Sequence, residues 1–116
     1  MFAYSRACRL ITTHDFQHVF AKSCKVTRKQ FIALYRPNQL LHARLGLVIS
    51  KHHIKRAVDR NYLRRLCREQ FRHTQQALKG LDIIVLVRSK SPLPSTHWRS
   101  EIDKLWQLLI NSSAQV

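Results

Sequence analysis

Hydrophobic positions recur along this chain at two periods, and the switches between them lay out its elements. Phe16, Val19 and Phe20 fall at i, i+3 and i+4, which predicts a short helix over about 13–22 with one apolar face. Thr12 or Thr13 would cap it, with Asp15 on its positive dipole end. SCKVTRKQ (23–30) is a basic loop with a short extended piece near Lys25–Thr27. From Phe31 to Arg36 the pattern alternates: Phe31, Ala33 and Tyr35 point one way, Ile32 and Leu34 the other, as in a strand. Pro37-Asn38 ends it. Ala43 to Ser50 forms a second strand, in which Gly46 marks a bend or a close approach. The short connection between the two predicts an antiparallel, hairpin-like pair. Ile83 to Val87 is an unbroken apolar run inside the strand Leu81–Arg88, which predicts burial on both faces and a central place in the sheet. Ser89 to Ser95, with Pro92 and Pro94, is a loop. Trp98, Ile102, Leu105, Trp106 and Leu109 then repeat at helical spacing over about 96–109 and should pack on the sheet.

The stretch between the second and third strands carries a different signal. Lys51 to Arg72 holds eight of the 21 Lys and Arg residues and two of the six acids. Arg56, Arg60, Arg64, Arg68 and Arg72 repeat every four residues. On a helix at about 100° per residue, Arg60, Asn61, Arg64, Arg65 and Arg68 fill an arc of roughly 140°. Leu63, Leu66 and Cys67 lie opposite, flanked by Val58, Tyr62 and Phe71. The helix should start near Lys55, run to Ala77 or Leu78, and stop at the glycine signal Lys79-Gly80. A merely solvated face mixes signs, because like charges at this spacing cost a few tenths of a kcal/mol per pair. Arginine repeated with almost no carboxylate between suits bidentate contact with phosphate oxygens.

The elements read helix, strands, helix, strand, helix, an α+β mixed sheet in the order α-β-β-(β)-α-β-α. At 116 residues the chain is one domain spanning 1–116. Its apolar fraction of 45% excludes a disordered basic tail, and a net charge of +15 points to nucleic acid first and an anionic membrane second. The membrane reading ranks last, since the sheet should cover the apolar back of the basic helix. No long apolar run follows Met1, which predicts neither signal peptide nor spanning segment. Cys8, Cys24 and Cys67 form no CxxC pair, consistent with the cytoplasm, and Cys67 is a small core residue. His14 and His18 alone share helical spacing, without a glutamate to complete a metal set. The acids form no metal-binding carboxylate cluster; Asp59 and Glu69 should pair with neighbouring arginines. With no catalytic constellation, no glycine-rich loop and no small-molecule site, the chain reads as a nucleic-acid binder. Arg6 and Arg9 would reach a phosphate backbone or be solvated. Aromatic residues ahead of the basic helix, if they line an open face, would stack unpaired bases.

The run KRAV-x-RN-x-x-RR-x-x-RE from Lys55 to Glu69 resembles the signature helix of the bacterial ribonuclease P protein subunit. The flanks agree: Arg9-Leu10 with Asp15-Phe16 and Val19-Phe20, Arg44-Leu-Gly46-Leu-Val with Ser50-Lys51, and Asp82 before an apolar strand. The likeness covers about residues 9–110. It departs at Tyr62, where the family commonly has arginine. The resemblance implies a sandwich like the second domain of ribosomal protein S5, with a left-handed β-α-β crossover. It implies a ribonuclease P RNA partner that holds the Mg²⁺ ions and performs the cleavage, with no cofactor held by the protein alone. Arg56, Arg60, Asn61, Arg64, Arg65 and Arg68 would bind that RNA. Phe16, Phe20, Lys51 and Lys55 would border a cleft for the single-stranded 5′ leader of precursor tRNA, with Tyr35 or its neighbour Leu34 in its wall.

Overall fold

A computed structural model describes residues 13–88 and 94–113, with side chains from Phe16 onward. The expectations for Arg6, Arg9, the Thr12 or Thr13 cap, Asp15 and the greater part of the Ser89–Ser95 loop lie outside that description. The elements are α1 (Thr13–Ala21), β1 (Cys24–Arg28), β2 (Phe31–Pro37), β3 (Arg44–Val48), α2 (Ala57–Thr74), β4 (Leu81–Val87) and α3 (Trp98–Ser113), the last entered through a 3₁₀ turn at Ser95–His97. This is the predicted order, with the extended piece at Lys25–Thr27 grown into a full strand.

The sheet runs β1-β2-β4-β3. The apolar run of β4 is central, as its pattern requires. The predicted β2–β3 hairpin does not form. β2 pairs antiparallel with β1 and with β4, and β3 pairs parallel with β4. Two causes are visible. β1 and β2 close a tight hairpin through Lys29 and Gln30, with Lys29 in the left-handed region at φ 56°. A strand that is apolar on both faces must sit inside the sheet, so β4 takes the other edge of β2 and displaces β3 by one strand.

The loop that spans this gap is tied to β4. The Arg44 guanidinium donates to both Asp82 oxygens at 2.8 and 2.6 Å, and Asn38 Nδ2 donates to Asp82 Oδ1 at 2.9 Å. The Asn38 amide donates to the Gly80 carbonyl at 2.9 Å, and the Gly80 amide donates to the His42 carbonyl at 3.3 Å. Gly80 takes φ +85°, a conformation that penalises any Cβ. It serves the turn into β4 and does not cap α2, which ends at Thr74, short of the predicted boundary. There the Thr74 hydroxyl donates back to the Gln70 carbonyl at 3.2 Å.

One face of the sheet carries Phe31, Ala33, Tyr35, Leu45, Ile83, Val85 and Val87. It is covered by Leu63, Leu66, Cys67 and Phe71 of α2 and by Trp98, Ile102, Leu105, Trp106 and Leu109 of α3, all buried. The other face is more lightly covered. There Val19 of α1 packs with Ile84, and Phe16, Leu34 and Leu86 pack against that pair. Val48, beside Leu86 in the register, stays exposed at the sheet edge. Among the described residues no helix is long and apolar enough to cross a membrane.

Candidate nucleic-acid interface

The back of α2 is fixed by the core, so its arginines have one way to point. Asn61, Arg65 and Arg68 are exposed, and Arg60 and Arg64 are half-buried. Arg64 Nη1 donates to Asn61 Oδ1 at 3.1 Å, which sets the two side chains edge to edge. The Arg65 guanidinium carbon lies 5.9 Å from the centre of the Tyr62 ring. Tyr62 in turn stacks on Trp98, with centroids 6.0 Å apart and planes 23° from parallel. Where the family pattern has arginine, this chain therefore has an aromatic that packs into α3 and supports its neighbour.

Arg60 has a second task that its spacing did not reveal. Its Nη1 donates to the carbonyls of Ile54 and Lys55 at 2.9 and 2.7 Å. Ile54 is buried, and the Ser50 carbonyl accepts from the amides of His53 and Ile54. The segment from β3 to α2 is thus tied at both ends, and Lys51, Lys55 and Arg56 are held outward. Asp59 is the acid of the first helical turn, 3.8 Å from Arg56, and Glu69 pairs with Arg99 at 3.5 Å. Both acids meet arginines, as expected. Cys67 is a core residue: it is fully buried, and burial pushes its thiol up to about 12.

The second group of candidates divides. Phe16 is half-buried against the cluster of Val19 and Ile84, while Phe20 is 50% exposed. The spacing of α1 placed both rings on one apolar face, but a helix of nine residues lying on one layer buries only the side nearest the sheet. Lys51 and Lys55 follow β3, whose last residue Val48 is registered beside Leu86. Tyr35 does not belong with them. It lies on the opposite face, 6% exposed, with its phenol beside Cys24 and Ser112 and pushed up by burial. Alternation puts Leu34 on the other face, in the α1 layer with Val19 and Ile84.

Arg36 was missed from sequence. It shares the Leu34 side of β2, and its Nη1 donates to the His18 carbonyl of α1 at 2.8 Å. That bond pins the last turn of α1, where carbonyls lack helical partners. Period-two alternation with Leu34 was the available signal.

A basic helix with a buried back, beside a sheet face only partly covered by a short helix, defines an α+β nucleic-acid-binding protein. Comparison with known proteins narrows the class. A Ribonuclease P family model matches residues 4–109. The ribonuclease P protein component of Legionella pneumophila (strain Lens) is 43% identical over 94% of this chain and 95% of that one. That of Pasteurella multocida is 39% identical over 90% and 88%. The RNase P protein structure from Staphylococcus aureus superposes with a TM-score of 0.78 at 27% identity, covering 90% of this chain and 96% of that one. The chain belongs to the ribonuclease P protein component family. Membership gives it a role in tRNA processing, and not that of a stand-alone RNA- or DNA-binding protein such as a ribosomal or regulatory one.

Proposed function

We propose that the chain is the non-catalytic subunit of a ribonucleoprotein endonuclease, cytoplasmic, whose active site lies in its RNA. The front of α2 docks on ribonuclease P RNA through Arg56, Asn61, Arg64, Arg65 and Arg68. The cleft between α1 and the sheet, bordered by Phe16, Phe20, Leu34, Lys51 and Lys55, takes the single-stranded 5′ leader of precursor tRNA. The observation that carries this reading is the contrast across α2: Leu63, Leu66, Cys67 and Phe71 are buried while Asn61, Arg65 and Arg68 are exposed on the opposite side.

Mg²⁺ belongs with the RNA in this scheme, where it would activate water at the scissile phosphate. The protein's donor chemistry supports that assignment. Asp59, Glu69, Asp82 and Glu101 each face an arginine, an arrangement that neutralises carboxylates and does not offer them to a metal. The protein's own contribution is to bind and orient: arginine forks fix the subunit on phosphates, and aromatic and lysine side chains hold unpaired nucleotides next to them.

The test is a salt titration of ribonuclease P RNA binding with Arg65→Ala. Each lost phosphate contact should lower the slope of log affinity against log salt by roughly 0.7–0.9. Arg65 makes no backbone cap, so folding should be unaffected. A slope equal to that of the unsubstituted chain would remove Arg65 from the interface.

A further inference from the structure

The end of the sheet away from Lys51 and Lys55 holds a feature that neither the α2 face nor the α1 cleft accounts for. At that end β2 finishes at Pro37, β4 begins at Leu81 and α1 leads into β1. A cavity of about 560 Å³ opens there. Pro37, Leu81 and the edge of the buried Tyr35 give it an apolar lining, and Lys22 and Arg36 add cations. Ser23 and Ser113 add hydroxyls, and among the described residues no carboxylate lines it. Another cavity, about 620 Å³ between α2 and α3, is of the opposite kind: Glu69 and Asp103 line it with Arg99 and His73. Of the two, only the Pro37 cavity suits an anion. Its size falls in the range of small-ligand sites, roughly 300–1,000 Å³.

A second observation lies beside it. The loop after Pro37 places Gln39 in the cavity wall at φ 60° and then presents Leu40 and Leu41 to water, Leu41 at 95% exposure. This tip is not slack. Asn38 Oδ1 accepts from the Leu40 amide at 2.8 Å, and Asn38 Nδ2 donates to the His42 carbonyl at 3.2 Å. Together with the bonds to Asp82 and Gly80, they hold two leucines outward on a rigid turn. Apolar side chains held at a surface beside cations match a partner with flat apolar faces and negative linkers, which is unpaired nucleic acid.

We propose that this cavity holds one unpaired nucleotide of ribonuclease P RNA, its phosphate on Lys22 and its base against Pro37 and Leu81, with the Leu40-Leu41 tip against the next base. The site is a docking point separate from α2, and it rests on the reading of the chain as a subunit bound to that RNA. Lys22 is the residue expected to hold the phosphate, since Arg36 also secures α1 through His18.

Cys24 lines the cavity and is exposed, which supplies a direct probe. In a Cys8→Ser chain, Cys24 reacts with N-ethylmaleimide while the buried Cys67 stays silent. The alkylation rate is measured for the free protein, with saturating ribonuclease P RNA, and after addition of precursor tRNA. Protection should be several-fold and present with the RNA alone. Lys22→Glu should lower the salt slope of RNA binding by at least about 0.7 with unchanged melting. Cys24 alkylated at the free rate in an Arg65-dependent complex would overturn this site while leaving the α2 interface standing. Protection that appears only with precursor tRNA would overturn the assignment to ribonuclease P RNA. Failure of the unsubstituted chain to bind the RNA at all would count against the α2 reading itself.

Discussion

Phe20 is where stability and function separate most cleanly in this molecule. Its neighbour Val19 is fully buried, whereas Phe20 is 50% exposed on the same short helix. An aromatic side chain offers about 200 Å² for burial, so about 100 Å² of Phe20 remains for a partner. At roughly 25 cal/mol per Å² that area is worth about 2.5 kcal/mol, which agrees with the 1–3 kcal/mol per base seen when stacking aromatics are removed. Phe20→Ala should therefore weaken binding of a leader-bearing precursor tRNA by about 1–3 kcal/mol, roughly 5- to 150-fold. The half already buried limits the stability loss to about 2.5 kcal/mol, against about 3–5 kcal/mol for Phe71→Ala in the main core. The assay is anisotropy with the assembled ribonucleoprotein, comparing precursor tRNA with the same tRNA lacking its leader. Equal losses for both RNAs, or none for either, would refute the assignment of this side chain to the leader.

Arg60 tests a division of labour within the basic row. Arg60→Ala should loosen the Lys51–Arg56 segment as well as remove a charge, so the His53 and Ile54 amides, which donate to the Ser50 carbonyl, should exchange faster with solvent; exchange as slow as in the unsubstituted chain would show that the two carbonyl bonds hold nothing. Glu101 gives a pH prediction. The Arg28 guanidinium, 2.6 Å away, holds its carboxyl below the ordinary value near 4.5. A depressed carboxyl stabilises the fold above the ordinary value and loses that contribution as pH falls through the lower, folded one. Glu101→Gln should thus lower the melting temperature at pH 7, and the deficit should shrink below about pH 4; a deficit independent of pH would remove the ion pair as its cause.

How much was legible from the sequence differs from element to element. The strand Leu81–Val87 and the helices α2 and α3 declared themselves because burial imposes a period on long segments. Strand pairing did not, because period and loop length are local while the choice of neighbour is made by the whole sheet: β3 follows β2 closely, yet β4 lies between them. Gly80 was correctly read as a special backbone position and assigned to the wrong element, since positive φ is needed equally at a helix end and at the Asn38–Gly80 turn. Tyr35 shows the same limit at the candidate site. Alternation separated it from Leu34, but only the packing of α1 decides which of the two faces the cleft. The arginine front of α2 was the most legible part, because its spacing is one-dimensional. Arg60 and Arg36 were not, because their backbone partners are set by the turns of the chain around them.

The central claim is that this protein makes an RNA cleave precursor tRNA more effectively by binding and positioning, without catalytic groups of its own. The most direct measurement mixes the purified chain with bacterial ribonuclease P RNA at low Mg²⁺ and follows removal of the 5′ leader. Cleavage should be faster with the chain than with the RNA alone, and the chain alone should cleave nothing. A rate no faster than that of the RNA by itself would contradict it.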